Sequence, residues 1–520
     1  MQVFSTTSPA TGEALEAMEP TPPETIDEIV RRARAAQIGW SETTVPKRVK
    51  AVAKVRARIL ERAAEIAKLV RAETGKPEAE ALLSEVLASA DVVSYWASAI
   101  EAELEPREAE IDALSYPKKA GWVHREARGV VALVTPWNFP FALPLRTIIP
   151  ALMAGNAIVL KPSELSPRSG RLVATLFDGL LPEGLLSVVQ GGAEAGAAVC
   201  GSKVDLVAFT GSPKTGRKVA HACAEALVPC VLELGGKDAA IVLPDADLER
   251  AANGIAWGAM MNAGQNCGAV ERVYVDRAVA APFTEKLVAA TNALRVGTDV
   301  GSLTSEAQRG IVERHLSEAK AAGAQVLAGG EPTAVEGARL GFMPTVVKLA
   351  DDDAALVTDE TFGPIVPVLE VDGVEEAIRR ANASRYGLTA SIWTRDLALG
   401  EKLASRLRAG VVTINNHSFT GAIASVPWGG VGESGWGLTG SVHALEHLTR
   451  PRVVVVDRNR APRETWWYPY TPTLERLALA LAALRGGRRG IGARIRALLT
   501  VLSTAPRRMK ELKTGKPAGS

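Results

Sequence analysis

The stretch Val204–Lys218, VDLVAFTGSPKTGRK, decides the fold. It starts as an apolar run of strand length, turns through Thr210-Gly211-Ser212, and continues as a helical pattern. The G-x-x-x-x-G spacing imitates a nucleoside-triphosphate loop. However, Arg217 stands where that loop needs its lysine, and Lys218 where Ser or Thr would hold magnesium, so an NTPase is excluded. What remains is a strand–turn–helix unit whose free amides and dipole can hold a pyrophosphate. No G-x-G-x-x-G follows the early strands, and the standard dinucleotide fingerprint is absent.

The same unit recurs on both sides. Upstream, NAIVLKPS, RSGRLVATLFDGL, LLSVVQGG and AEAGAAVCGS alternate short strands with helices. Downstream of PCVLELGGKDAAIVLPDAD the strands are RVYV, FMPTVVKL, IVPVLEV, LTASIWT and VVTINN, again with helices between them. Such alternation predicts an α/β protein with two doubly wound parallel-sheet domains. Ahead of them, residues 25–100 repeat apolar positions at three and four, a helical period that stops at Gly75 and Pro77. GWVHREARGVVALVTPWNFP alternates and then becomes β-branched, which predicts an exposed hairpin leading into a buried strand.

Composition agrees with a globular chain of two or three domains: 520 residues, 47% apolar and 23% charged. The four cysteines have no zinc spacing and are too few for a disulfide framework, so a reducing compartment is expected. The N-terminus carries acids and prolines where a signal peptide needs a basic start, and no run reaches the roughly 18–20 apolar residues of a spanning helix. A cytoplasmic location is expected. Charge is uneven. Residues 461–520 hold 12 Lys or Arg against 3 Glu, a net +9, and leave the remainder at −7. Nothing points to nucleic acid.

A lone buried cysteine is ordinarily packing, because reactivity needs a setting that favours the thiolate. Cys267, in NAGQNC, is read differently because of its company. Glu233 ends an apolar strand in ELGGK, before two glycines that let backbone approach a ligand, and Cys267 follows 34 residues later. Taken together, PWNFP, KPSE, FTGS, ELGGK, GQNC, ETFGP and PWGGVGESG stand in the order and approximate spacing of the NAD(P)-dependent aldehyde dehydrogenase superfamily, which residues 1–460 resemble.

The resemblance implies roles. Cys267 would add to an aldehyde, with the oxyanion held by the Asn138 side chain and a backbone amide at Cys267, and Glu233 would activate the water that hydrolyses the thioester. NAD would be the cofactor. Lys161 and Glu164 match the residues that bind the adenosine ribose, Gly211 and Ser212 the pyrophosphate turn, and Glu360 and Phe362 the nicotinamide side. Trp137 and the backbone of Leu234 line the same channel. Glu164 at the 2′ position favours NAD over NADP, since a carboxylate repels a phosphate. Members that transfer the acyl group to coenzyme A typically lack the glutamate found here as Glu233, so water is the expected acceptor. No metal is implied.

Arg146, eight residues after Asn138, matches a carboxylate-binding arginine of succinate-semialdehyde members, but their second arginine is replaced by Met261. Met261, Trp428 and Phe419 suggest an apolar tunnel, so a hydrophobic or broad-range aldehyde is expected, with a succinate-semialdehyde type as the alternative. Arg146 would otherwise be a structural pair on a helix surface. Trp428 and Gly432 replace the family's usual phenylalanine and lysine, and His417 reads as a structural histidine in a polar loop. A non-catalytic scaffold with the same fold is the alternative of a different class.

The expected division is an NAD-binding domain over 1–114 and 129–231, oligomerisation strands at 115–128 and 441–460, a catalytic domain over 232–440, and a basic C-terminal extension at 461–520. A homo-oligomer, dimer or tetramer, is expected. The extension opens with ETWWYPYTP and continues with LERLALALAALR and IGARIRALLTVL, separated by GGRRG. Ile491, Ile495, Leu498, Leu499 and Leu502 share one helical face, with Arg494 and Arg496 off it, which reads as attachment to a membrane surface or as packing on the protein.

Overall fold

The computed structural model describes residues 4–113, 115–486 and 490–514. The chain forms two compact units, Met1–Glu105 with His124–Arg452, and Pro106–Val123 with Val453–Ser520.

The first unit carries two large sheets and a two-stranded hairpin, Pro332–Val335 with Ala338–Phe342. One has six strands in the order Gly435–Trp436, Cys230–Glu233, Leu206–Thr210, Val130–Val134, Ala157–Lys161, Leu186–Val188. All run parallel except the first. The parallel strands are nearly continuous in Val, Ile, Leu and Ala, as burial on both faces demands. In chain order they lie 3-2-1-4-5, the doubly wound arrangement whose direction switches between Val130–Val134 and Leu206–Thr210. The quoted stretch is the strand just beyond that switch, with helix Pro213–Ala226 after its turn.

The other sheet has seven strands, Gln325–Ala328, Thr345–Leu349, Ile365–Val371, Val270–Asp276, Asp238–Val242, Thr389–Trp393 and Val411–Ile414, with only the first antiparallel to its neighbour. Each sheet has its own apolar core. The core of the first is closed by the N-terminal helices and also by Ala444, Leu445 and Leu448 from far down the chain.

The two sheets meet edge to edge. Only four residues link Glu233, the carboxyl end of one strand, to Asp238, the amino end of the next. The carboxyl edge of the six-stranded sheet therefore faces the amino edge of the seven-stranded one. Gly235 and Gly236 fill the seam: a Cβ on Gly235 would strike the Glu360 carboxylate at 2.2 Å, and one on Gly236 the Cys267 carbonyl oxygen at 2.6 Å.

A three-stranded sheet has the order Arg107–Glu108, Lys119–Ala127, Thr449–Asp457. The expected hairpin is thus Lys119–Ala127 paired antiparallel with Arg107–Glu108, and not with the buried strand that follows it. Thr449–Asp457 is exposed along nearly its whole length, including the run Val453–Val456. Helices Pro472–Arg485 and Ile491–Thr514 pack together in the second unit. The second continues through Pro506, twelve residues beyond the segment expected from the sequence. Of the GGRRG separator, Gly487, Arg488 and Arg489 lie outside the described residues.

Candidate active site

The seam between the sheets gathers the sequence-selected residues. Helix Leu248–Met260 ends at a loop in which Asn262, Ala263 and Gly264 have φ of 55°, 53° and 71°. Three successive left-handed residues reverse the chain tightly, and the glycine is obligatory, since a Cβ there would lie 2.1 Å from the Gly363 carbonyl oxygen. GQNC thus rests on the backbone of TFGP. Gln265 locks the loop: its amide donates to the carbonyls of Asn262 (2.9 Å) and Ser302 (3.1 Å), and its oxygen accepts from Thr304 N (2.8 Å).

Cys267 emerges from this loop partly exposed, with Sγ 3.8 Å from Asn266 Oδ1. Burial, then the carboxylates of Glu233, Asp238 and Glu360, push its thiol well above the ordinary range. Asn138 is 3% exposed and donates from Nδ2 to the Gln265 carbonyl at 3.2 Å, leaving the second amide hydrogen to point elsewhere.

Glu233 is no surface carboxylate. It is 6% exposed, accepts from the hydroxyl of Thr439 and from that of Thr210 (3.3 Å), and is pushed up by burial despite the nearby Arg146. A buried carboxyl raised in this way is suited to accept a proton.

Behind Asn138 lies a pair that the sequence reading passed over. Lys76 and Glu85 are both fully buried and 2.7 Å apart. Lys76 Nζ donates to the Asn138 carbonyl at 3.0 Å, and Glu85 Oε2 accepts the backbone amides of Phe141 (3.1 Å) and Ala142 (2.8 Å). The pair pins PWNFP from both sides, at the start of helix Ala142–Ala154. Lys76 sits between the Gly75 and Pro77 that mark a helix end in the sequence.

The cavity at Cys267 has a volume of about 230 Å³, and Leu83, Phe139, Trp257, Met261, Phe419 and Trp428 are among its lining residues. The π-helical turn Leu82–Leu87 forms part of its wall. Met261, Phe419 and Trp428 therefore line it as expected. Arg146 lines it too and is 7% exposed, so the helix-surface pairing does not hold. Its guanidinium donates to the carbonyls of Gly421 and Val426, and lies 5.9 Å from the Trp428 ring. Glu80 completes the wall with a carboxyl pushed up to about 7 by burial.

His417 is likewise buried and not in an open polar loop. Its Nε2 lies 3.2 Å from Thr389 Oγ1, which lies 2.7 Å from Asp238 Oδ2. Burial lowers the histidine to about 4 and raises Asp238 to about 8. The Thr389 hydroxyl donates to Asp238, so the neutral His417 fits this chain as the donor from Nε2 to Thr389. Among the described residues, no group of three His, Cys, Asp or Glu could hold a metal.

At the carboxyl edge of the six-stranded sheet, Lys161 Nζ meets Glu164 Oε2 at 3.2 Å, with Lys161 buried and Glu164 exposed. Gly211 and exposed Ser212 form the turn, and Ser212 caps helix Pro213–Ala226 by accepting from Thr215 N. A Cβ on Gly216 of that helix would strike Leu234 at 2.6 Å. Across the seam, Trp137 and Phe362 meet edge to face at 5.6 Å. Glu360 Oε1 accepts from Gly236 N at 3.1 Å and is raised to about 8 by burial and Glu271. Glu271 in turn accepts the amides of Thr361 and Phe362, both at 2.8 Å, and pairs with buried Lys237.

A cysteine thiol, a buried carboxyl and an amide donor meet at the seam of two doubly wound sheets, and the chain belongs to the aldehyde dehydrogenase family, whose model matches residues 1–454. Among its relatives, 4,4'-diapolycopene aldehyde oxidase of Methylomonas is 36% identical over 91% of this chain and 89% of its own. Betaine aldehyde dehydrogenase of Rhizobium etli is 34% identical over 87% and 94%. An aldehyde dehydrogenase of Bacillus cereus, solved as its NAD+ complex, is 36% identical and superposes with a TM-score of 0.84 over 88% of this chain and 94% of its own. That of Mycobacterium tuberculosis, also with NAD+, gives 34% and 0.83 over 87% and 94%.

Proposed function

We propose that this protein oxidises an aldehyde to a carboxylic acid with NAD through a Cys267 thioester. The observation that carries the reading is the convergence of Cys267, Glu233 and Asn138 at one seam. The Cys267 thiolate adds to the carbonyl carbon, and the resulting oxyanion is held by the free amide hydrogen of Asn138 and the backbone N–H of Cys267. Bound NAD supplies the hydride acceptor. The acyl group left on Cys267 is attacked by water, whose proton goes to Glu233, and the acid leaves as the thiol is restored.

The residues suit the cofactor. Lys161 and Glu164 would hold the adenosine ribose, Gly211 and Ser212 the pyrophosphate at the start of a helix, and Glu360, Phe362, Trp137 and Leu234 the nicotinamide side. Thr135 adds support, being 4% exposed at the carboxyl end of the central strand with a hydroxyl that finds no protein partner. The domain division follows: 1–114 with 129–231 binds the cofactor, and 232–440 carries the nucleophile.

The cavity lining supports an apolar aldehyde. Of the aldehydes that name the relatives, betaine aldehyde would bring a quaternary ammonium towards the Arg146 guanidinium. We further assign self-association to strands 115–128 and 441–460, since an exposed β-branched edge invites a partner strand. Attachment to the cytoplasmic membrane surface is assigned to 461–520. NADH production from an aldehyde panel, compared with Cys267→Ala, tests the central reading: equal rates would end it.

A further inference from the structure

We infer that one face of helix Ile491–Thr514, together with the aromatic loop before helix Pro472–Arg485, is a docking surface for an anionic lipid bilayer. This rests on the membrane attachment assigned above and names the face and the lipid charge that perform it.

The helix has two faces, and only one is used inside the protein. Ala497, Thr504, Arg508, Glu511 and Leu512 are buried on the side packed against helix Pro472–Arg485. Ile491, Ile495, Leu498, Leu499, Leu502 and Met509 are 45% to 80% exposed. At roughly 100° per residue these six fall within an arc of about 100°. The face selected from the sequence is therefore the one turned to solvent, and packing on the protein does not account for it.

Charge selects the occupant. Arg496, Arg507 and Lys510 are exposed along one flank of the apolar arc, and Lys513 stands at its end. The helix has a single acid, Glu511, which is buried and accepts from Thr471 (2.7 Å) and Thr473 (2.6 Å). An apolar strip whose exposed charged neighbours on this helix are all cations complements anionic headgroups over acyl chains. A protein partner would leave those cations to find acids of its own.

The aromatic loop is fixed to the same helix. Arg508, fully buried, donates to the carbonyls of Thr465 (3.0 Å), Trp467 (2.5 Å) and Pro469 (2.8 Å). This clamp leaves Trp467, Tyr468 and Tyr470 more than half exposed, and such rings favour the headgroup level of a bilayer. Among the described residues no helix is long and apolar enough to span, so contact along a face is the mode that the segment supports.

The test is co-sedimentation of the full-length enzyme with vesicles of phosphatidylcholine alone and of phosphatidylcholine with phosphatidylglycerol. Wild type should pellet with the anionic vesicles, and less so at high salt. The double variant Leu499→Glu, Leu502→Glu should lower the partition by roughly 100-fold or more, and Arg496→Glu, Arg507→Glu by about 30-fold or more, with turnover of a short soluble aldehyde unchanged in both. All four side chains are exposed, so the packed side of the helix stays intact. If wild type pellets with no vesicle, the attachment itself is wrong. If it pellets and the leucine variant does so equally, attachment stands and this face is wrong. If the leucine variant changes the oligomer size in solution instead, the face is covered by a second copy and the inference fails.

Discussion

Replacing Gly264 by alanine tests how the Cys267 loop is held. The residue adopts φ 71°, where a side chain costs about 1–2 kcal/mol. More severe is the contact: the new Cβ would lie 2.1 Å from Gly363 O, 2.3 Å from its carbonyl carbon and 2.9 Å from Pro364 N, against the 3.0 Å below which such contacts are essentially never seen. The GQNC and TFGP backbones must therefore part by about 0.9 Å, and a misplacement on the order of 1 Å at a nucleophile costs on the order of 100-fold in rate. Gly264→Ala should lower kcat for a short aldehyde by about that factor. The rate of Cys267 alkylation should change with it, because the displaced group is the thiol's own loop. Gly310→Ala is the control, since that glycine lies within helix Glu306–Ala321 with nothing within 4 Å of a Cβ. It should leave kcat unchanged and add about 0.5–1 kcal/mol of stability. A Gly264→Ala enzyme within twofold of wild-type kcat would refute the argument that this contact positions Cys267.

Glu233→Gln should release about one NADH per active site in a rapid burst and then turn over about 10²–10⁴-fold more slowly, because hydride loss precedes the step that needs the base; a variant without a burst would remove Glu233 from deacylation. In the free enzyme, iodoacetamide should modify Cys267 slowly at neutral pH and faster as pH rises beyond the usual thiol range near about 8.5, since burial and three carboxylates oppose the thiolate. A rate that levels off below pH 8 would contradict this. Lys76→Met strands a buried carboxylate and should destabilise the fold by about 3–5 kcal/mol, read in urea unfolding, while lowering kcat through Asn138.

The strands and the chemistry-bearing residues were legible because they are local signals. Apolar runs of strand length separated by turn residues mark both sheets, and short motifs carry Cys267, Glu233 and Asn138. The opposition of the two sheet edges was not legible. It follows from a four-residue crossing at Gly235–Gly236, and nothing in the pattern says that these glycines touch Glu360 and the Cys267 carbonyl. The Lys76–Glu85 pair escaped for a related reason: two charged residues nine apart, one at a helix end and one within a helical segment, read as solvated, and only the amides of Phe141 and Ala142, far along the chain, reveal why they are buried. The burial of Arg146 and of His417 was not legible on the same ground, since burial of a polar side chain is set by what packs over it. The left-handed Asn262 and Ala263 lack the glycine that would announce such a conformation.

The cavity beside Cys267 has one further consequence. The single fixed cation in its lining, Arg146, is held by two backbone carbonyls, and many of the other lining side chains are hydrocarbon. On the proposed reading, such a chamber gauges length more than it recognises functional groups. Each added methylene of a straight-chain aldehyde should tighten apparent affinity by about 0.8 kcal/mol, or roughly fourfold, until the chamber is full. Beyond that point longer chains should gain nothing more, and the chain length at the break would measure the depth of the tunnel in solution.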